Sequence, residues 1–249
     1  MAEAEPLPEF DVQVPVMSLP ALFGTTLTSV PAEVPYLHAD PDHLVKWRRL
    51  LGEKDRLRVG ICWQGNPHHQ WDRHRSVPLR YFAALARVPG VELVSLQKGH
   101  GSEQRGQVAG QFAVSELPEL ETFEDTAAVM SLLDLVVTAD TAVAHLAGAL
   151  GVPVWVALAK IADWRWLFDR EDSPWYPTMR LFRQATLGDW AGVFERMAAE
   201  LRKQHVPCEP NGPAGSDLKM LTAAGSDRDY FGERRPRSVM IEEDSDGKA

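Results

Sequence analysis

Between residues 134 and 158 the chain reads as strand, helix and strand with almost nothing in between, a pattern few folds can satisfy. Leu135, Val136 and Val137 form an unbroken apolar run, as a strand covered on both faces requires. A sharp turn at Asp140 and Thr141 leads into small residues from Ala142 to Leu150, read as a helix that Gly151 and Pro153 stop. Val154 to Leu158 then supplies a second apolar strand. Two strands joined through one helix run parallel and pack that helix on their sheet. Asp140 and Thr141 therefore stand at the carboxyl end of the first strand. His145 follows four residues after Thr141 on the same helix face. Open α/β sheets gather their ligands at that edge.

The same alternation extends outward. Strands are expected at 58–63, 91–96 and 179–182, and helices at 41–51, 78–87, 124–132 and 190–204. Asp40 and Pro41 open the first helix as N-cap and first-turn proline. Trp190, Val193, Phe194, Met197 and Leu201 give the last one an apolar face. The fold class is thus α/β, a Rossmann-like parallel sheet with helices on both faces. Residues 56–206 form this domain. Residues 1–9 are acidic, Pro-rich and expected to be disordered. Residues 10–55 read as the remnant of an upstream domain, with at most one short strand and a turn or helix at 19–24, followed by a linker helix. Residues 207–249 read as a largely disordered acidic tail with a short helix near 217–223.

Charge and cysteine usage exclude several partners. The net charge of −9 and the lack of a basic cluster interleaved with aromatics argue against a nucleic acid. The two cysteines, Cys62 and Cys208, make no disulfide framework, so a reducing cytoplasm is the expected compartment. No apolar run reaches the ~20 residues of a transmembrane helix, and the N-terminus lacks the pattern of a signal peptide.

Candidate ligand residues cluster after the expected strands. The first is followed by a polar loop holding Gly65, Asn66, His68, His69, Arg73, His74, Arg75 and Ser76. If Pro78 opens a helix through Arg87, this loop delivers two arginines and a hydroxyl to a helix N-terminus, which suits a phosphate. Three near-adjacent histidines do not define a tetrahedral shell, so no metal site is assigned. Gln97 and Lys98 follow the second strand beside Gly99, placed either to approach a base or ribose or to make a turn. Asp163, Trp164 and Arg165 follow the strand at 154–158, where an aromatic can stack on a base and a charged group can orient a ribose. Packing alone would equally account for the tryptophans, four of which lie between 155 and 175. Gly60 and Gly65 form no Gly-x-Gly-x-x-Gly loop, which disfavours a dehydrogenase.

Taken together, residues 59–67, 72–79, 94–99, 140–155, 163–167 and 172–177 resemble the C-terminal, nucleotide-sugar-binding part of bacterial tetratricopeptide-repeat glycosyltransferase-like proteins. These are similar to the lipopolysaccharide heptosyltransferases and, more distantly, to the O-linked N-acetylglucosamine transferases. The resemblance implies the C-terminal half of a GT-B glycosyltransferase. Its donor substrate would be a nucleotide-diphosphate sugar, with no tightly bound cofactor. A motif resembling Asp-Thr-Gly-x-x-His falls on Asp140, Thr141, Ala142 and His145, with alanine in place of the glycine. Arg73 or Arg75 would neutralise the leaving diphosphate, with His145 as a hydrogen-bond donor nearby. No 34-residue repeat is visible. The acceptor-binding half that the resemblance calls for is represented only by residues 10–37, so an upstream domain or a second protein is expected to complete the cleft. The competing function is a non-catalytic nucleotide-binding scaffold or regulatory module. A two-domain nucleotide-sugar epimerase would use a similar donor half.

Overall fold

A computed structural model describes residues 9–117 and 120–204. The expected disorder of residues 1–8 and the acidic tail at 207–249, with its helix near 217–223, lie outside the described residues. The helices in chain order are α1 (Leu19–Leu22), α2 (Pro41–Leu51), α3 (Asp72–Arg75), α4 (Ala83–Ala86), α5 (Gln104–Val108), α6 (Phe123–Met130), α7 (Ala142–Ala149) and α8 (Trp190–Gln204). The strands are β1 (Leu57–Cys62), β2 (Val91–Ser95), β3 (Leu135–Ala139), β4 (Val154–Leu158) and β5 (Met179–Arg183). They form one sheet of order β2-β1-β3-β4-β5, and every neighbouring pair is parallel.

This order has a direct consequence for function. The chain winds outward from β1 to β2, then returns to place β3 on the other side of β1. Crossovers reverse direction there, and the crevice outside the carboxyl ends of β1 and β3 is where such sheets bind ligands. All five residues of β3 and of β4 are buried, which accounts for their continuous apolar runs. Alternate side chains feed two cores. Val59, Ile61, Leu135, Val137, Trp155 and Phe182 pack with α4 and α8 on one face. Cys62, Val94, Val136, Val154, Val156 and Leu181 pack with α6 and α7 on the other.

Helix α2 begins as the sequence indicates, with Asp40 Oδ1 accepting from the N–H groups of Asp42 and His43 at 2.9 and 3.2 Å. It is more than a linker. Trp47 is 1% exposed and belongs to the second core, and its indole N–H donates to Asp125 Oδ1 of α6 at 2.8 Å. Asp125 in turn completes a capping box with Thr122. Upstream, residues 9–37 form a 3-10 turn (Val16–Ser18) and α1, with no strand among the described residues. Phe10, Val12, Val14, Val16, Met17, Leu22 and Phe23 are exposed there. The end of this segment is anchored: the N–H groups of Tyr36 and Leu37 donate to the Ala149 carbonyl, at 3.0 and 3.1 Å, at the end of α7. No described helix is long and apolar enough to cross a membrane.

Candidate functional site

At the β1–β3 crevice, Thr141 leaves the sheet in an extended conformation and caps α7, its Oγ1 accepting from the Val143 N–H at 3.3 Å. The same hydroxyl lies 3.1 Å from Thr138 Oγ1 and 3.8 Å from Cys62 Sγ. These contacts fasten the tip of β3 to the end of β1. The amino end of α7, with its partial positive charge, opens at Ala142. Ala142 itself is exposed, so its methyl group meets no core.

The loop after β1 folds back onto this tip. Arg75 donates from Nη1 to the Asp140 carbonyl at 3.0 Å, and its Nε lies 3.4 Å from the buried Asp72 carboxylate. Gly65 makes the fold possible: a Cβ there would stand 2.5 Å from Arg75 Nη2 and 2.8 Å from Asp72 Oδ1. Its N–H donates to Ser76 Oγ at 3.1 Å. Asn66 is exposed and turns the loop by accepting from the His68 N–H at 3.0 Å. Arg73 is also exposed, and its Nε donates to His74 Nε2 at 2.9 Å. The two arginines, equivalent in the sequence, are thus separated: Arg75 reaches the crevice and Arg73 pairs with its neighbour.

The expected helix from Pro78 to Arg87 is corrected in part. Residues Leu79–Phe82 form a 3-10 turn, and only Ala83–Ala86 is α-helical. Leu79 and Phe82 are both fully buried, and side chains three apart align in a 3-10 turn. Arg73 and Arg75 lie in their own four-residue helix, upstream of that turn. The helix N-terminus that faces the crevice is that of α7.

Gln97 at the end of β2 is occupied by backbone. Its Oε1 accepts from the N–H groups of Trp63 and Gln64 at 3.0 and 2.9 Å, and its Nε2 donates to the carbonyls of Gln64 and His100 at 3.0 and 2.7 Å. It clamps the loops after β1 and β2 in place of offering an amide to a ligand. Gln97→Leu would strand two buried N–H groups, and urea unfolding should show a loss of about 2 kcal/mol. Lys98 is exposed and donates to the Glu121 carbonyl. Beside it lies a groove of about 200 Å³ lined by Ser95, Gln97, Lys98, Gly99, Arg105 and Leu117. Ser95 is 3% exposed, and its hydroxyl has no partner among the described residues. A buried orphan hydroxyl next to a groove is a polar contact in waiting.

After β4, Asp163 Oδ1 accepts from the Arg165 N–H at 3.1 Å and caps a 3-10 turn, Trp164–Trp166. Arg165 spans two strand ends, with its guanidinium 3.4 Å from Asp163 Oδ1 and 4.0 Å from Asp140 Oδ1. Trp164 is 62% exposed at the edge, whereas Trp166 is buried and stacks on the His145 ring at 5.2 Å and 19°. Burial and the charge of Arg165 lower the pKa of His145, against the opposing pull of Asp140 and Asp163. The imidazole is neutral at neutral pH. Its Nδ1 lies 3.2 Å from the Tyr176 hydroxyl.

Gly65, Arg75, Asp140, Thr141, Ala142, His145 and Asp163 therefore gather around one crevice. Arg73 and Asn66 stand in the exposed loop above it, and Gln97 supports it from below. In the sequence Tyr176 is marked only as part of the 172–177 stretch, since the fold alone brings it to His145 from 31 residues away. Arg165 was signalled by its position, a cation between two tryptophans after a strand. Among the described residues no three His, Cys, Asp or Glu side chains converge on a metal position.

A parallel sheet wound in this order, with its polar crevice at the β1–β3 switch, is an α/β fold resembling the GT-B glycosyltransferases. Residues 71–158, from the β1 loop through β4, match the family model of glycosyltransferase family 9 (heptosyltransferase). Protein FlbA of Caulobacter vibrioides is 28% identical over 193 residues, which cover 74% of this chain and 31% of that protein. Among solved structures, the ADP-heptose lps heptosyltransferase II of E. coli superposes with a TM-score of 0.53 at 15% identity, over 73% of this chain and 58% of that one. The glycosyl transferase family 9 protein of Veillonella parvula gives 0.52 at 13% identity, over 71% and 55%. The likeness to both structures is one of fold. The chain spans under a third of the curated relative and little more than half of the solved ones.

Proposed function

We propose that this chain is the donor-binding half of a glycosyltransferase, holding a nucleotide-diphosphate sugar for transfer to an acceptor hydroxyl. The observation that carries the reading is the pairing of Arg75 with the amino end of α7 across the β1–β3 crevice. When the bond from the sugar's anomeric carbon to the diphosphate oxygen breaks, negative charge builds on the leaving diphosphate. Arg75 and the α7 backbone N–H groups are oriented beforehand to meet it, which is the arrangement that lowers such a barrier most. Neutral His145 adds an N–H donor without requiring a proton from solvent. The exposed face of Trp164, after β4, supplies a stacking surface for the base.

The acceptor half and the base that deprotonates the acceptor belong to an upstream domain or a second protein. The match to the glycosyltransferase family 9 model supports the reaction class, and the relation to tetratricopeptide-repeat proteins remains part of this proposal. Titration calorimetry of the full chain with UDP, GDP and ADP is the test. At least one should bind, and more tightly than its monophosphate. No heat from any of them at millimolar concentration would overturn the reading. Binding without sugar transfer is the result expected of a donor half whose acceptor domain lies elsewhere, and sugar transfer by this chain alone would contradict that part of the reading.

A further inference from the structure

The Tyr176 phenol against His145 is placed with unusual care. Tyr176 packs its ring on α7 where Gly148 leaves room, since a Cβ at Gly148 would stand 2.4 Å from Tyr176 Cγ. The loop that carries it is tied down on both sides, by Trp175 Nε1 donating to the Arg165 carbonyl at 2.8 Å and by the Met179 N–H donating to the Tyr176 carbonyl at 3.0 Å. The Tyr176 hydroxyl lies 3.2 Å from His145 Nδ1.

We infer that Tyr176 is a positioning residue that fixes the tautomer of His145. A phenol is a good donor and a weak acceptor, because its lone pair is drawn into the ring, whereas an unprotonated imidazole nitrogen is a strong acceptor. The contact therefore runs one way: Tyr176 O–H donates to His145 Nδ1, and the ring proton stays on Nε2. Trp166 is stacked on one face of the ring. The charged groups facing His145 are Arg165, Asp140 and Asp163, and none of them accounts for the Nδ1 contact. The consequence is an Nε2–H donor of constant orientation on the helix that borders the crevice. This assignment rests on the donor-site reading for its purpose, but not for its geometry.

Long-range proton–nitrogen correlation of the histidine rings in the ¹⁵N-labelled full chain tests it, with the His145 signal assigned from a His145→Asn variant. In the wild type above the His145 pKa, the shifts should be those of a single Nε2–H tautomer. In Tyr176→Phe, which keeps the ring packing, the two nitrogen shifts should move toward each other as both tautomers become populated. An Nδ1–H tautomer in the wild type, or unmoved shifts in Tyr176→Phe, would overturn the inference. The readout needs no nucleotide, so a tautomer shift without nucleotide binding would sink the donor-site reading and leave this one standing.

Discussion

Arg75→Ala should weaken nucleoside diphosphate binding roughly 10- to 100-fold, the effect of losing a charge-assisted hydrogen bond of about 1.5–3 kcal/mol. Arg73→Ala, in the same loop two residues away, should leave the affinity unchanged. The contrast follows from where the chain puts each guanidinium. Arg75 is held against the Asp140 carbonyl at the crevice, whereas Arg73 is exposed and donates to His74. Arg75→Lys should fall between the two, because an ammonium keeps the charge and loses the planar fork that can hold a carbonyl and a diphosphate together. Calorimetric titration of the three variants checks the order. Equal losses from Arg73→Ala and Arg75→Ala would mean that the charge of the loop matters and its geometry does not.

The largest loss of stability is expected from Asp125→Ala. This carboxylate is 4% exposed and accepts from Trp47 Nε1, Lys46 Nζ and the Thr122 backbone N–H, while His43 Nδ1 lies 3.1 Å away. Removing it leaves a buried indole N–H unpaired, takes away the Asp125 half of the α6 capping box and loosens the hold of α6 on α2, at a cost of about 3 kcal/mol. For a domain of this size that is a drop in Tm of roughly 6–12 °C, measurable by calorimetry. Asp125→Asn, which keeps an acceptor for Trp47, should lose less.

The pH dependence follows from the same group. Burial pushes the Asp125 pKa up, but the hydrogen bonds from Trp47, Lys46 and Thr122 outweigh it and hold the carboxyl well below the usual carboxylate range. A depressed carboxyl binds fewer protons folded than unfolded. Its contribution is therefore present above the unfolded value of about 3.9 and lost as pH falls below it. His145 acts at higher pH: its pKa is lowered in the fold, so stability also declines as pH drops below the unfolded value of about 6.5. Asp125→Ala should shrink the lower of these two steps, to which the depressed Glu200 and Asp172 also contribute, and leave the upper one in place. Urea unfolding as a function of pH would show whether it does.

How much of this was legible in the sequence depended on how local the determining contacts are. Residues 134–158 declared strand, helix and strand because burial on both sheet faces demands unbroken apolar runs, and the structure has β3, α7 and β4 there. Asp40 and Pro41 marked the start of α2 because caps are local chemistry. Strand order was not legible, and with it the location of the crevice between β1 and β3. The choice between Arg73 and Arg75 depended on Gly65, ten residues from Arg75, whose missing Cβ makes room for the guanidinium. Gln97 looked available to a ligand because nothing local shows that four backbone groups consume its amide. The anchoring of α2 through Trp47 and Asp125 joins residues 78 apart, beyond the reach of any periodicity.

The central claim is that a nucleoside diphosphate sits against Arg75 and the amino end of α7. Amide chemical-shift mapping of the ¹⁵N-labelled chain during titration with whichever nucleoside diphosphate binds tests that placement most directly. The largest shifts should fall on Gly65, Thr141 and Ala142 and on the Arg75 side-chain Nε–H. Shifts confined instead to the groove along β5 lined by Arg180, Arg196 and Lys203, with the amino end of α7 unmoved, would contradict the account.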